Sequence, residues 1–130
     1  MPKLIASPTI IACVGNIPKR ANEFVGLVNT GDAELSITHL QSPPGWVGIG
    51  QYADYHEYRL VLAGLLHVDH SDGAFDVQAG QGLDIEPGEW VRYSTPEPAG
   101  ADYVTVCIPA FSRADVHRDA SAAPGSIGPL

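Results

Sequence analysis

The stretch GWVGIGQYADYHEYRLVLAG, residues 45–64, decides how this chain is read. Pro43-Pro44 sets a hard break before it, and Gly45 and Gly64 frame it. Inside the frame, Tyr55–Leu62 reads as a strand rich in aromatic and branched residues. A second stretch, GQGLDIEPGEWVRYST at residues 80–95, is built the same way. Gly80 opens it, Pro87-Gly88 turns in its middle, and Val91–Ser94 reads as a strand.

Working outward, glycine and proline (14 and 11 residues) punctuate the chain at short intervals. Short runs of Val, Ile, Leu, Thr and Tyr lie between them, the pattern of an all-β sandwich or barrel. Further strands are expected near Ile10–Val14, Glu23–Asn29, Leu35–Leu40, Leu65–His70, Phe75–Gln78, Gly82–Ile85 and Tyr103–Ile108. Asp72-Gly73 reads as a hairpin turn, because glycine accepts positive φ there. After Phe111 the pattern changes. Ser112, with Asp115 three residues on, predicts a short capped helix to about Ala120. The remaining SAAPGSIGPL predicts a mobile tail or an arm laid on a neighbour. The 130 residues are expected to form a single domain, with 112–130 as its C-terminal helix and tail.

Charge and composition narrow the function. The net charge is −8, with only seven Lys and Arg, so a basic stripe for a phosphate backbone is missing and nucleic acid is not an expected partner. No segment approaches the roughly 20 apolar residues of a membrane span. The opening MPKLIASPTIIACVG lacks a signal-peptide pattern, so the expected location is the cytoplasm. Cys13 and Cys107 allow at most one disulfide.

The two glycine-framed stretches resemble the paired motifs of the cupin superfamily, G-x5-H-x-H-x(3,4)-E-x6-G and G-x5-P-x-G-x2-H-x3-N. The frame fits without a gap, and the resemblance covers roughly residues 33–111. Gly45, Glu57 and Gly64 match the first motif, and Gly80 and Gly88 the second. The positions that usually hold metal-binding histidines carry Gln51, Ala53 and Val91, so only Glu57 keeps its residue. Thr95 stands at the final Asn and Glu86 at the proline. The resemblance implies a jelly-roll or conical β-barrel around one small-ligand pocket.

If Glu57 points inward as the family's glutamate does, alternation sends Arg59 and Val61 inward and Tyr58, Leu60 and Leu62 outward. Glu57 and Arg59 then form either a structural ion pair or an acid–base group beside an anion-binding guanidinium. Tyr93, two residues from Val91, shares the inward direction and is a candidate proton donor. Gln51 is expected to line the pocket and hydrogen-bond a ligand. Trp46 and Trp90 offer aromatic walls, and His39 is a candidate lining residue. His56, His67 and His70 are expected outside the pocket, and His117 near a helix end or folded over the barrel. No pair shows H-x-H or i, i+4 spacing, so a tightly held metal is not expected. The alternative is a rearranged site that uses Glu57, Gln51 and a histidine brought in by the fold.

The stretches EYRLVLAG, PGEWVRYSTPEP and VCIPAFSRADVHRD resemble small bacterial cupins, among them ectoine-synthase-type cyclo-dehydratases and polyketide cyclases. The loss of histidine at Val91 aligns the chain with members that work without metal by acid–base catalysis. The expected function is a lyase, isomerase or cyclase acting on a carbonyl- or carboxylate-bearing intermediate, with Glu57 and Tyr93 catalytic. The second class is a binding module without turnover. The outer stripe Tyr58, Leu60, Leu62 predicts a homodimer.

Overall fold

The computed structural model describes residues 1–119. The strands are β1 (Thr9–Ile11), β2 (Arg20–Val25), β3 (Ser36–Ser42), β4 (Trp46–Val47), β5 (Gln51–Ala53), β6 (His56–His70), β7 (Gly73–Gln78), β8 (Gly82–Ile85), β9 (Val91–Thr95), β10 (Ala101–Ile108) and β11 (Val116–Arg118). All pairings are antiparallel, and the sheet curls into the all-β jelly roll expected of a cupin.

One strand organises it. The segments expected as two strands, Tyr55–Leu62 and Leu65–His70, form the single 15-residue β6. Its first half pairs with β10 and β8, and its second half with β7 and β9. The bend falls at Gly64, whose φ is +76°, a value natural only to glycine. A Cβ on Gly64 would overlap the backbone carbonyl of Gly100, which accepts the Leu65 N–H at 3.1 Å. Opposite the bend, β10 slips by one residue between Asp102 and Tyr103, a bulge that lets the sheet fold on itself.

Alternation then sorts the side chains. On β6 Glu57, Arg59 and Val61 are buried, and Tyr58, Leu60 and Leu62 are exposed. The inward residues of β3, β6, β9 and β10 meet in one apolar core with Leu40, Trp46, Val61, Leu66, Val68, Tyr93 and Tyr103. Burying each such side chain contributes about 1.5–3 kcal/mol. A smaller cluster of Tyr55, Cys107, Phe111 and Val116 fixes the C-terminal crossing, with the Tyr55 and Phe111 rings edge-on at 6.2 Å.

The C-terminal segment corrects one expectation. Ser112 does cap, its Oγ accepting from the Ala114 N–H at 3.4 Å, but only a single 3-10 turn follows, Arg113–Asp115. Val116, His117 and Arg118 then pair with the free edge of β5. Sheet hydrogen bonds along that edge outcompete a helix too short to stand alone. The expected helix end at Ala120 and the expected tail, from Ser121 on, lie outside the described residues. No helix among the described residues is long and apolar enough to cross a membrane.

Candidate functional site

Three strands converge on Glu57. On β6 it lies opposite Cys107 of β10 on one side and Ile85 of β8 on the other. Tyr93 reaches it from β9 and donates its hydroxyl to Glu57 Oε1 at 2.8 Å. Arg59, two residues along the same face, donates Nε to Oε1 at 3.2 Å and Nη2 to Oε2 at 3.4 Å. Those lengths exceed the 2.7–2.9 Å of a tight charge-assisted bond. The guanidinium lies over the Tyr93 ring, 3.7 Å from its centroid, with Tyr103 at 5.3 Å on another side. Glu57 and Arg59 are each only 5% exposed.

The electrostatics follow from this enclosure. Burial is the largest single effect on Arg59 and works against its charge, but Glu57, Tyr93 and Tyr103 together outweigh it and hold its pKa well above the ordinary value. Burial pushes the Tyr93 hydroxyl well above its usual range. Arg59 opposes this and Glu57 adds to it, so Tyr93 stays a protonated donor. Burial, reinforced by Glu57, also raises Cys107, which leaves it an inert thiol.

Gln51 is buried on β5, opposite Val91 of β9 on one side and Arg118 of β11 on the other. Trp46 is buried in the core. Trp90 sits at the rim and donates its indole N–H to Asp119 at 3.1 Å. The rim holds a cavity of about 570 Å³, lined among others by Val68, His70, Phe75, Ile85, Trp90 and Val91. Glu57 does not line it; Ile85, opposite Glu57, and Val91, two residues before Tyr93, do.

His39 does not join this group. Thr38 and Leu40 turn inward, and His39 faces the other way and pairs with Asp102. Other histidines are paired with aspartate outside the core as well: His56 with Asp84 at 2.5 Å, His67 with Asp76 at 2.7 Å, and His117 with Asp54 at 2.9 Å. The hydrogen bond to Asp76 raises the His67 pKa, with Asp69 adding to it against the opposing effect of burial.

The donor set in the core does not suit a metal ion. Ala53 and Val91 offer no ligand atom, and Glu57 has both oxygens engaged, one pairing being with a guanidinium that repels a cation. Among the described residues one group could offer three ligand atoms, His56, Asp84 and Glu86, whose atoms lie within 4.8 Å of one another. It sits outside the Glu57 centre, with its two carboxylates exposed.

Two interior residues were invisible in the sequence. Lys19, on the 12–19 segment between β1 and β2, places its ammonium 3.9 Å from the Trp46 ring centroid. Burial lowers its pKa, while Tyr103 pulls the other way. Arg118 shares a face with Gln51, its direct partner across the pair. Neither lies in a glycine frame. The pairing of β11 with β5 and the hold of Asn16 on β4 bring them in.

The comparisons agree with this architecture. The polyketide cyclase RemF from Streptomyces resistomycificus superposes with a TM-score of 0.74 at 14% identity, over 95% of this chain and 88% of that one. The nucleoside dehydratase Pac13 gives 0.72 at 12%, over 97% of both. Oxalate decarboxylase from Bacillus subtilis gives 0.71 at 16%, over 91% of this chain and 33% of that one. In sequence, the chain is 31% identical over 101 residues to the endoribonuclease YbeY of Myxococcus xanthus, 78% of this chain. The chain spans about a third (34%) of that relative's length. No protein-family model matches. With its glycine-framed motifs placed on β4 to β6 and β8 to β9 of a curled antiparallel sheet, the chain is a cupin-fold protein.

Proposed function

We propose that this cupin is a small-molecule enzyme of the lyase, isomerase or cyclase type, acting by general acid–base chemistry on a carbonyl- or carboxylate-bearing compound. The Glu57–Tyr93 contact carries the reading: a neutral phenol donates to a buried carboxylate at 2.8 Å beside a guanidinium. Glu57 takes a proton from carbon next to the substrate carbonyl. Arg59 and Gln51 hold the substrate's oxygens and stabilise developing negative charge, and Tyr93 donates to it. The long Arg59 bonds leave Glu57 free to shift toward a substrate. A polyketide cyclase and a nucleoside dehydratase among the structural neighbours support this class of chemistry.

The test uses 2- and 3-oxo acids in deuterium oxide, with proton NMR following loss of the signal from carbon next to the carbonyl. Exchange is expected with at least one compound, and Glu57→Gln is expected to slow it by roughly 10²–10⁴-fold. Exchange unchanged by Glu57→Gln would remove Glu57 from this role. A second reading, ligand binding without turnover, is favoured by one observation: both Glu57 oxygens already have partners. It predicts binding with no exchange. Endoribonuclease activity, named for a relative of which this chain matches a third, finds no support in a chain of net charge −8.

We also propose a homodimer. Leu60 (48% exposed) and Leu62 (51%) stand with Tyr58 and Ile108 on the outer face, above a shallow groove that Val104 and Val106 help to line. Sedimentation at micromolar concentration is expected to show a dimer that Leu60→Glu returns to monomer. A monomeric wild type would remove the proposal.

A further inference from the structure

The chain has seven Lys and Arg against a net charge of −8, yet three of the seven point into the barrel: Lys19, Arg59 and Arg118. Their positions are tied together by neighbours. Cys13 feels the positive field of all three, and Tyr55 that of both arginines. Of the two buried carboxylates, Glu23 is held by the Val28 and Asn29 N–H groups and Glu57 is the one paired with a cation, Arg59, which leaves Lys19 and Arg118 without a carboxylate partner among the described residues.

Hydrogen bonding points the same way. Buried atoms without a partner among the described residues include Arg59 Nη1, Arg118 Nε and Nη2, and Trp46 Nε1. All four are donors only, and their complement is an acceptor-rich anion. The cations come from three separate elements: the 12–19 segment, β6 and β11. The rings of Trp46, Tyr93 and Tyr103 lie among them. This spread suits two carboxylates joined by a short carbon chain better than one compact phosphate.

We infer that the barrel interior binds a small organic dianion, a short dicarboxylate, held by Arg59, Arg118 and Lys19. This rests on the reading of the interior as a small-molecule site and names its substrate class. Lys19 and Arg118 would then set specificity, drawing one carboxylate away from Glu57 while Arg59 holds the other near it.

The experiment is calorimetric titration of the whole chain with malonate, succinate and glutarate, beside propionate, butyrate and inorganic phosphate. At least one dicarboxylate is expected to bind roughly tenfold or more tightly than the monocarboxylates, the worth of one further charge-assisted contact. Arg118→Gln, on an edge strand, is expected to weaken that dicarboxylate by a similar factor and leave the monocarboxylates nearly unchanged. If that variant does not fold, the wild-type comparison decides alone. Equal binding of mono- and dicarboxylates, no binding of any dicarboxylate, or tighter binding of phosphate overturns the inference. The acid–base reading fails separately. Glu57→Gln removes the carboxylate paired with Arg59 and is expected to keep or strengthen dicarboxylate binding while slowing exchange by roughly 10²–10⁴-fold. Dicarboxylate binding without exchange in the wild type sinks only the acid–base reading. Exchange on monocarboxylic oxo acids without dicarboxylate preference sinks only the dianion.

Discussion

Arg59→Met is expected to destabilise the fold by about 3–5 kcal/mol, read by urea denaturation. The side chain is nearly inaccessible, so solvent screening softens little of the loss. The replacement leaves Glu57, equally buried, with Tyr93 as its one short hydrogen bond. An ionised carboxylate stranded in an apolar core is costly. Replacing both partners, Glu57→Gln with Arg59→Met, removes the stranded charge and is expected to recover most of the loss, because a buried ion pair is worth little against neutral residues of similar volume. The double-mutant cycle therefore should show strong coupling. If the double variant loses the sum of the single losses, Glu57 and Arg59 do not act as a pair.

Gly64→Ala carries the second large effect, a loss of about 2–5 kcal/mol. The new methyl group would meet the carbonyl oxygen of Gly100 and come within 2.9 Å of its carbonyl carbon. Both atoms are backbone at the corner where β6 changes partners, so no side chain can swing aside. The same substitution at Gly80 is the control. Its φ is +85°, but nothing lies within 4 Å of the added atom. Gly80→Ala is expected to cost only the backbone strain, about 1–2 kcal/mol. Equal losses at the two positions would show that close approach at the corner is not what Gly64 provides.

The frame glycines were legible because each does a backbone task that glycine does best. Gly45, Gly64, Gly80 and Gly88 all have positive φ. Alternation placed Glu57, Arg59 and Val61 together, since a two-residue period in a long strand leaves little choice of face. The three-residue β5 and β11 had no such period to read, and their pairing joins residues more than 60 positions apart. Arg118 was missed for that reason, and a helix was expected where β11 stands; Lys19 was missed because it lies on the 12–19 segment between strands, which has no period and is held through Asn16 against Val47 of β4. His39 was misplaced because its strand was started at Leu35 and its partner, Asp102, is set by a cross-strand register no local pattern encodes.

Because β6 belongs to both halves of the sheet, neither half can melt while the other stays intact. Thermal unfolding is then one cooperative event, and the Glu57–Arg59–Tyr93 cluster exists only in the fully assembled molecule. Amide protons along β6 should consequently exchange through global opening, with its two ends equally slow.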